Sequence, residues 1–185
     1  MAKVYEIVKY GDPVLRQQTE PIAEVTDDIR ALAKDMFATM QAARGVGLAG
    51  PQIGLSKAIC VVEIPTDYDV EEEGGPRLNR DELLKMALIN PRIVAESDDV
   101  WKMSEGCLSF PDITGSVERP WSVTIEFVDL QGTPRREEVH GFLARACQHE
   151  IDHLNGKVFV DRMSYARRLA LKGKLKRLKA ETEGA

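Results

Sequence analysis

The chain lacks a long apolar run, an internal repeat and any excess of positive charge. Each absence removes a class of function. No stretch approaches the length of a membrane span, so no spanning helix is expected. The formal net charge is -5, which leaves no whole-molecule basic field for DNA. The opening stretch, Met1 to Tyr10, has no signal-peptide apolar core, and a cytoplasmic protein is expected. Cysteine is scarce: Cys60, Cys107 and Cys147 sit far apart. An odd and sparse count argues against a disulfide framework and for a reducing compartment. What remains is ordinary globular material, 43% hydrophobic and 30% charged. A length of 185 residues suffices for a single domain with its own core, taken here as 1–185.

Local patterns assign most of the elements. Asp12 and Pro13 suit the start of a short helix in GDPVLRQQT. Thr26 is a candidate cap for a long helix, with Asp27 and Asp28 in its first turn. Ile29, Leu32, Met36 and Met40 then fall on one face, and Gly45 follows the end. KAICVVEIP reads as a buried strand. KMALINPRIVAES, WSVTIEFVDL and TPRREEVHG are strand-like, the last two forming a hairpin through Gln131-Gly132. The acidic, Gly- and Pro-containing stretch 66–81 reads as a solvated surface loop with no assigned role. GFLARACQHEIDHLNG is helical, with Gly156 as its stop. Leu143, Cys147, Ile151 and Leu154 form one stripe on it; Phe142, Ala146, His149 and His153 form a second. Two such faces predict a central, buried helix. A basic helix over about 164–180 closes the chain. The expected class is α+β, with antiparallel strands around the central helix.

One segment, GVGLAGPQIG, contains the letters G-x-G-x-x-G. The structural order is wrong for a dinucleotide site. Such a loop leaves a strand and enters a helix whose N-terminal amides hold the pyrophosphate. Here the glycines follow a helix, Pro51 comes directly after Gly50, and a strand begins seven residues later. No Lys-Ser/Thr pair follows, so it is not a P-loop. The glycines instead suit backbone that passes close to a ligand or a neighbouring strand.

HEIDH supplies a different chemistry. His149 and His153 stand at i and i+4 and project from one side of a helix, so both imidazoles can reach one metal. Glu150 lies about 100° round from His149, close enough to handle a proton without being a ligand. Metal-assisted hydrolysis needs that combination. A core histidine pair without metal is the plain alternative. A catalytic site also needs a third protein ligand and an open position. His140 ends a strand and could face solvent. Cys147 points away from His149 into the apolar stripe, and Cys60 sits within a hydrophobic strand. Cys107 stands in SEGCLSFP, where irregular backbone can be shaped round a site. A thiolate with two imidazoles would suit zinc or ferrous iron.

Together, GVGLAGPQIG, EGCLSFP and QHEIDHLNG resemble the three signature motifs of the peptide deformylase family, in the family's order and approximate spacing. The resemblance extends from the DPVLR stretch through HLNGKVFVDRM. It implies that Cys107, His149 and His153 bind one divalent metal, Fe2+ in bacterial members, with Zn2+, Ni2+ or Co2+ able to occupy the site. It implies Glu150 as general acid/base and the Gln52 amide, with the Leu108 backbone N–H, against the developing oxyanion. Val46, Gly47 and Gly106 would line the peptide cleft, and Phe142 and Ala146 the methionine pocket. The implied reaction removes the formyl group from formyl-methionine on nascent chains, with metal-bound hydroxide attacking the formyl carbon and formate leaving. In the family, Ala more often stands where this chain has Gly50, a change expected to widen backbone freedom beside Pro51. The basic segment from Arg167 to Lys179 is either a solvated face or a ribosome contact near the peptide exit. Two rival functions share the His-Glu-x-x-His helix: a zinc endopeptidase, and a non-catalytic metal-binding or ribosome-associated module.

Overall fold

Thr26 caps the first long helix, its side chain accepting from the Ile29 N–H at 3.4 Å. The helix, α1, runs Asp27–Ala42 and buries Ile29, Ala33, Met36 and Met40. These positions recur every three to four residues, so one stripe is removed from water. A computed structural model describes residues 2–72 and 74–184. Among them lie strands β1 (Gly47–Ala49), β2 (Ile59–Glu63), β3 (Lys85–Glu96), β4 (Val100–Gly106), β5 (Thr114–Pro120), β6 (Ser122–Val128) and β7 (Pro134–His140). Helices α2 (Gly141–Leu154) and α3 (Tyr165–Glu183) follow. Strands β1-β2-β3-β6-β7 form one antiparallel sheet in that order, and β4-β5 form a second. The class is α+β, as expected.

The central sheet is covered on both faces. Successive residues of β2 point to opposite sides. Cys60 and Val62 pack with Leu143, Cys147, Ile151 and Leu154 of α2. Ile59 and Val61 pack with Ile29, Met36 and Met40 of α1. That double burial is why KAICVVEIP is continuously apolar rather than alternating. The third cluster joins Phe110, Val117, Phe159 and Val160 to Leu175 and Leu178 of α3. Thus α3 docks through a few leucines and leaves most of its basic residues exposed.

Several elements differ from the sequence expectation. GDPVLRQQT forms only a four-residue 3-10 turn, Pro13–Arg16, with Asp12 accepting from the Val14 N–H. GVGLAGPQIG is not loop throughout: Gly47–Ala49 pairs with β2 in the register Gly47↔Val62. The β4-β5 pair was not expected. Its buried positions are Glu105, Val117 and Arg119, and the two charged ones are paired with each other. Buried charge erases the apolar alternation by which a strand is recognised. The stretch 66–81 is irregular, as expected, but not wholly solvated. Asp69 is 0% exposed and holds the Asn79 backbone N–H at 3.1 Å.

Candidate active site

Helix α2 is the floor of the site. All of its residues except Phe142 are buried. Leu143, Cys147, Ile151 and Leu154 turn toward the sheet, which fixes the rotation of the helix. The opposite side then presents His149, Glu150 and His153. Gly156 ends the run at φ 67°, a left-handed conformation that glycine adopts without strain.

The third donor comes from the far end of β4. The strand stops at Gly106, and the following turn carries Cys107, closed by Phe110 N–H donating to the Cys107 carbonyl at 2.8 Å. Cys107 Sγ lies 3.3 Å from His153 Nε2. One donor atom each from Cys107, His149 and His153 lies within 4.8 Å of the others. A soft cysteine sulfur and two imidazoles so converged fit one divalent metal. Cys60 and Cys147 are buried in the core, as the sequence suggested. His140 ends β7, before Gly141 begins α2.

His149 is oriented from behind. Its Nδ1 lies 3.1 Å from Glu105 Oε2, so the ring donates there and turns Nε2 toward the donor cluster. Glu105 is in turn held by Arg119 Nε at 2.6 Å and Arg145 Nη1 at 2.5 Å. Arg119 also reaches Asp152 at 2.9 Å, and Asp152 accepts from Arg162 Nε at 3.0 Å. Burial alone would raise Glu105, but His149 and Arg119 outweigh it and hold its carboxyl well below the usual range. This charged network escaped the sequence reading. Its only trace there was charge inside strand-like and helical stretches: Glu105 before Gly106-Cys107, and Asp152 inside HEIDH.

Glu150 sits differently. Burial raises its carboxyl to about 7. Its Oε2 is buried without a hydrogen-bond partner among the described residues. A carboxylate so poised suits proton transfer near neutral pH. Gly47 faces it directly, and a Cβ there would fall on the Glu150 carboxylate. That contact, rather than a phosphate, is what the second glycine of the motif serves. Gly50 has a separate reason: a Cβ would lie 2.6 Å from the Lys57 carbonyl oxygen. Its departure from alanine accommodates a close backbone approach instead of loosening the turn.

Gln52 is buried and its amide is oriented. Its Oε1 accepts from the Ala49 N–H at 2.8 Å. Its Nε2 therefore points toward Cys107 Sγ and Ser109 Oγ, each at 3.5 Å. Both contacts are long, so the donor keeps capacity for a further acceptor. Leu108 lies beside it, its carbonyl held by Lys9 Nζ at 3.0 Å.

These groups line a cavity of about 490 Å³. Its walls include Val46, Gly47, Gln52, Gly106, Cys107 and Leu108, together with Phe142, Ala146, His149 and Glu150 of α2. Every site residue expected from the sequence borders this cavity, except His153, which joins through the donor cluster. The cleft also separates two open strand edges, since β1 pairs only with β2 and β4 only with β5 among the described residues.

The family model for polypeptide deformylase matches residues 4–169. The chain belongs to the polypeptide deformylase family. It is 44% identical over 184 residues to the peptide deformylase of Opitutus terrae, covering 97% of this chain and 95% of that one. It is 47% identical over 160 residues to that of Thermomicrobium roseum, covering 86% of each. The Plasmodium falciparum peptide deformylase crystal structure superposes with a TM-score of 0.84 at 36% identity, covering 97% of this chain and 98% of that one. The Synechococcus elongatus peptide deformylase, solved in complex with actinonin, gives 0.79 at 37% identity, covering 94% and 85%. As in any deformylase, metal dependence is a family property, and the cluster here is compatible with one ion.

Proposed function

We propose that the chain acts as one catalytic domain, 1–185, that hydrolyses the N-formyl group of formyl-methionyl peptides and releases formate. The observation that carries this reading is the convergence of Cys107, His149 and His153 beside Glu150 and Gln52 in one cleft. Cys107, His149 and His153 would hold a divalent metal, natively ferrous iron with zinc, nickel or cobalt as substitutes, which would supply Lewis acidity and lower the pKa of water.

The residues of the chain do the rest. The peptide lies extended between the open edges of β1 and β4, where its backbone can pair as an added strand. Its methionine side chain enters the pocket against Phe142 and Ala146, lined further by Val46. The formyl carbon then stands near Glu150. Glu150 takes a proton from the attacking water and returns it to the departing amine nitrogen. Gln52 Nε2, helped by the Leu108 N–H, donates to the oxygen as negative charge develops; being unable to ionise, Gln52 leaves the charge of the site unchanged. Gly47 keeps the backbone close enough to Glu150 to shape the cleft, and Gly106 borders the cleft beside Cys107.

The site acts on nascent chains in the cytoplasm, and the exposed basic side chains of α3 are suited to ribosomal RNA phosphates. No helix among the described residues is long and apolar enough to cross a membrane. Removal of the chain after Tyr165 should weaken ribosome binding in a salt-dependent way. Unchanged binding would remove that contact.

The activity is tested with a formyl-Met tripeptide, its unformylated counterpart and an internally cleavable peptide. Formate release from the first alone is expected. Cleavage of an internal peptide bond would favour the endopeptidase reading.

A further inference from the structure

The two oxyanion donors stand on separate parts of the chain. Gln52 belongs to the buried 3-10 turn Gly50–Ile53, which follows β1. Leu108 belongs to the turn after β4. The direct contacts between the two turns are long: Gln52 Nε2 lies 3.5 Å from both Cys107 Sγ and Ser109 Oγ. Bonds of that length fix a separation loosely. Two donors that must meet one oxygen need a firmer tie.

That tie comes from residues 8–10, just before the Pro13–Arg16 turn. The Val8 N–H donates to the Gln52 carbonyl at 2.8 Å. Lys9 Nζ donates to the Leu108 carbonyl at 3.0 Å, 99 positions away in sequence. The Tyr10 N–H donates to the Ser109 carbonyl at 2.9 Å. Consecutive residues thus splint the Gln52 turn to the Leu108 turn. The splint is itself anchored, since the Tyr10 ring packs on the buried Phe110 ring with centroids 4.7 Å apart.

Of these bonds, that of Lys9 is the one made by a side chain, so it depends on the residue type. An ammonium donating to a carbonyl makes a charge-assisted bond, roughly twice as strong as a neutral one. Lys9 is half-buried, so water competes less for that bond than it would on an open surface. Holding the Leu108 carbonyl fixes the peptide plane after Leu108, and the Ser109 bond fixes the next one. The Leu108 N–H lies one plane earlier and takes its direction through the shared Cα.

Resting on the deformylase reading, we propose that Lys9 is a positioning residue for that reaction. It holds the Leu108 turn against Gln52, so that the Leu108 N–H and the Gln52 amide meet the same oxygen. Lys9 does not line the cavity and acts through Leu108.

The test compares metal-loaded wild type, Lys9→Met, Lys9→Arg, Gln52→Leu and the double variant Lys9→Met with Gln52→Leu, on formyl-Met-Ala-Ser. Lys9→Met keeps the length of the side chain and removes the donor. It should lower kcat about tenfold, less than the outright loss of an oxyanion donor, with KM and metal content unchanged. Lys9→Arg should recover kcat to within about twofold of wild type. In the Gln52→Leu background, where one of the two donors is gone, Lys9→Met should cost about twofold or less. A residue that merely supports the fold would lower kcat by the same factor in both backgrounds, or lower metal content in step with kcat. Either of those results, an unchanged kcat in Lys9→Met, or no recovery in Lys9→Arg overturns the inference while leaving the activity standing. No formate release by the wild type overturns the activity and the inference with it.

Discussion

The two sides of α2 are equally buried yet chemically opposite. One side sends Leu143, Cys147, Ile151 and Leu154 into the sheet. The other carries the donor pair His149 and His153 and sets Glu150 beside them, with an ion-pair network behind His149. Burial alone therefore does not define the site. Cys147 and Cys107 make the point with one residue type. Burial, reinforced by Glu150, pushes the Cys147 thiol up to about 12, far from thiolate chemistry. Cys107, on a turn after a strand, is set beside the two imidazoles.

Substitution of the two cysteines should separate the two sides most sharply. Cys107→Ala should strip the metal and with it essentially all turnover, with metal content read by elemental analysis after dialysis. Cys147→Ala should keep the metal and cost only stability, roughly 1–3 kcal/mol by urea titration. Full metal retention in Cys107→Ala would remove Cys107 from the ligand set.

A smaller loss is expected at Gln52, the proposed oxyanion donor. Gln52→Leu should lower kcat about 10²–10³-fold with metal retained, the usual cost of losing one oriented donor. A change confined to KM would instead make Gln52 a substrate-binding group.

Behind the site, Glu105→Gln leaves Arg119 and Arg145 less well compensated in buried surroundings. A stability loss of ~3 kcal/mol is expected, with metal affinity weakened as His149 loses its charged acceptor. If the urea midpoint does not move, the network does not support the floor.

The smallest effect is on acid stability. Burial opposes ionisation of Glu105 and Asp152, but His149 and Arg119 for the first, and Arg162 and Arg119 for the second, pull both below their ordinary values of 4.5 and 3.8. Folded-state values below the unfolded ones mean stabilisation that is complete above those values and lost as pH falls below them. The urea midpoint of the wild type should therefore drop more steeply below about pH 4.5 than that of Glu105→Gln.

Much of this was legible in the sequence because local rules and global structure agree. Thr26, the α1 stripe and the two stripes of α2 follow helical period, and HEIDH carries its own geometry. Three other features were not legible. Strands β4 and β5 point charge inward, so their pattern does not read as strand. The approach of Gly47 to Glu150 joins residues about a hundred positions apart. The 66–81 stretch reads as solvated because Asp67, Glu71 and Glu72 are, while Asp69 in the same run is buried and holds the segment to α2. Composition averages over such residues; partners distinguish them.

The proposed mechanism makes Glu150 the proton carrier beside a metal it does not bind. Wild-type protein and Glu150→Gln should be purified anaerobically, with metal content and formate release from formyl-Met-Ala-Ser measured on the same samples. Equal metal in both, with turnover lost by a factor of at least about 10² in the variant, is the predicted result. Equal metal with turnover preserved would contradict the role assigned to Glu150 and the mechanism built on it.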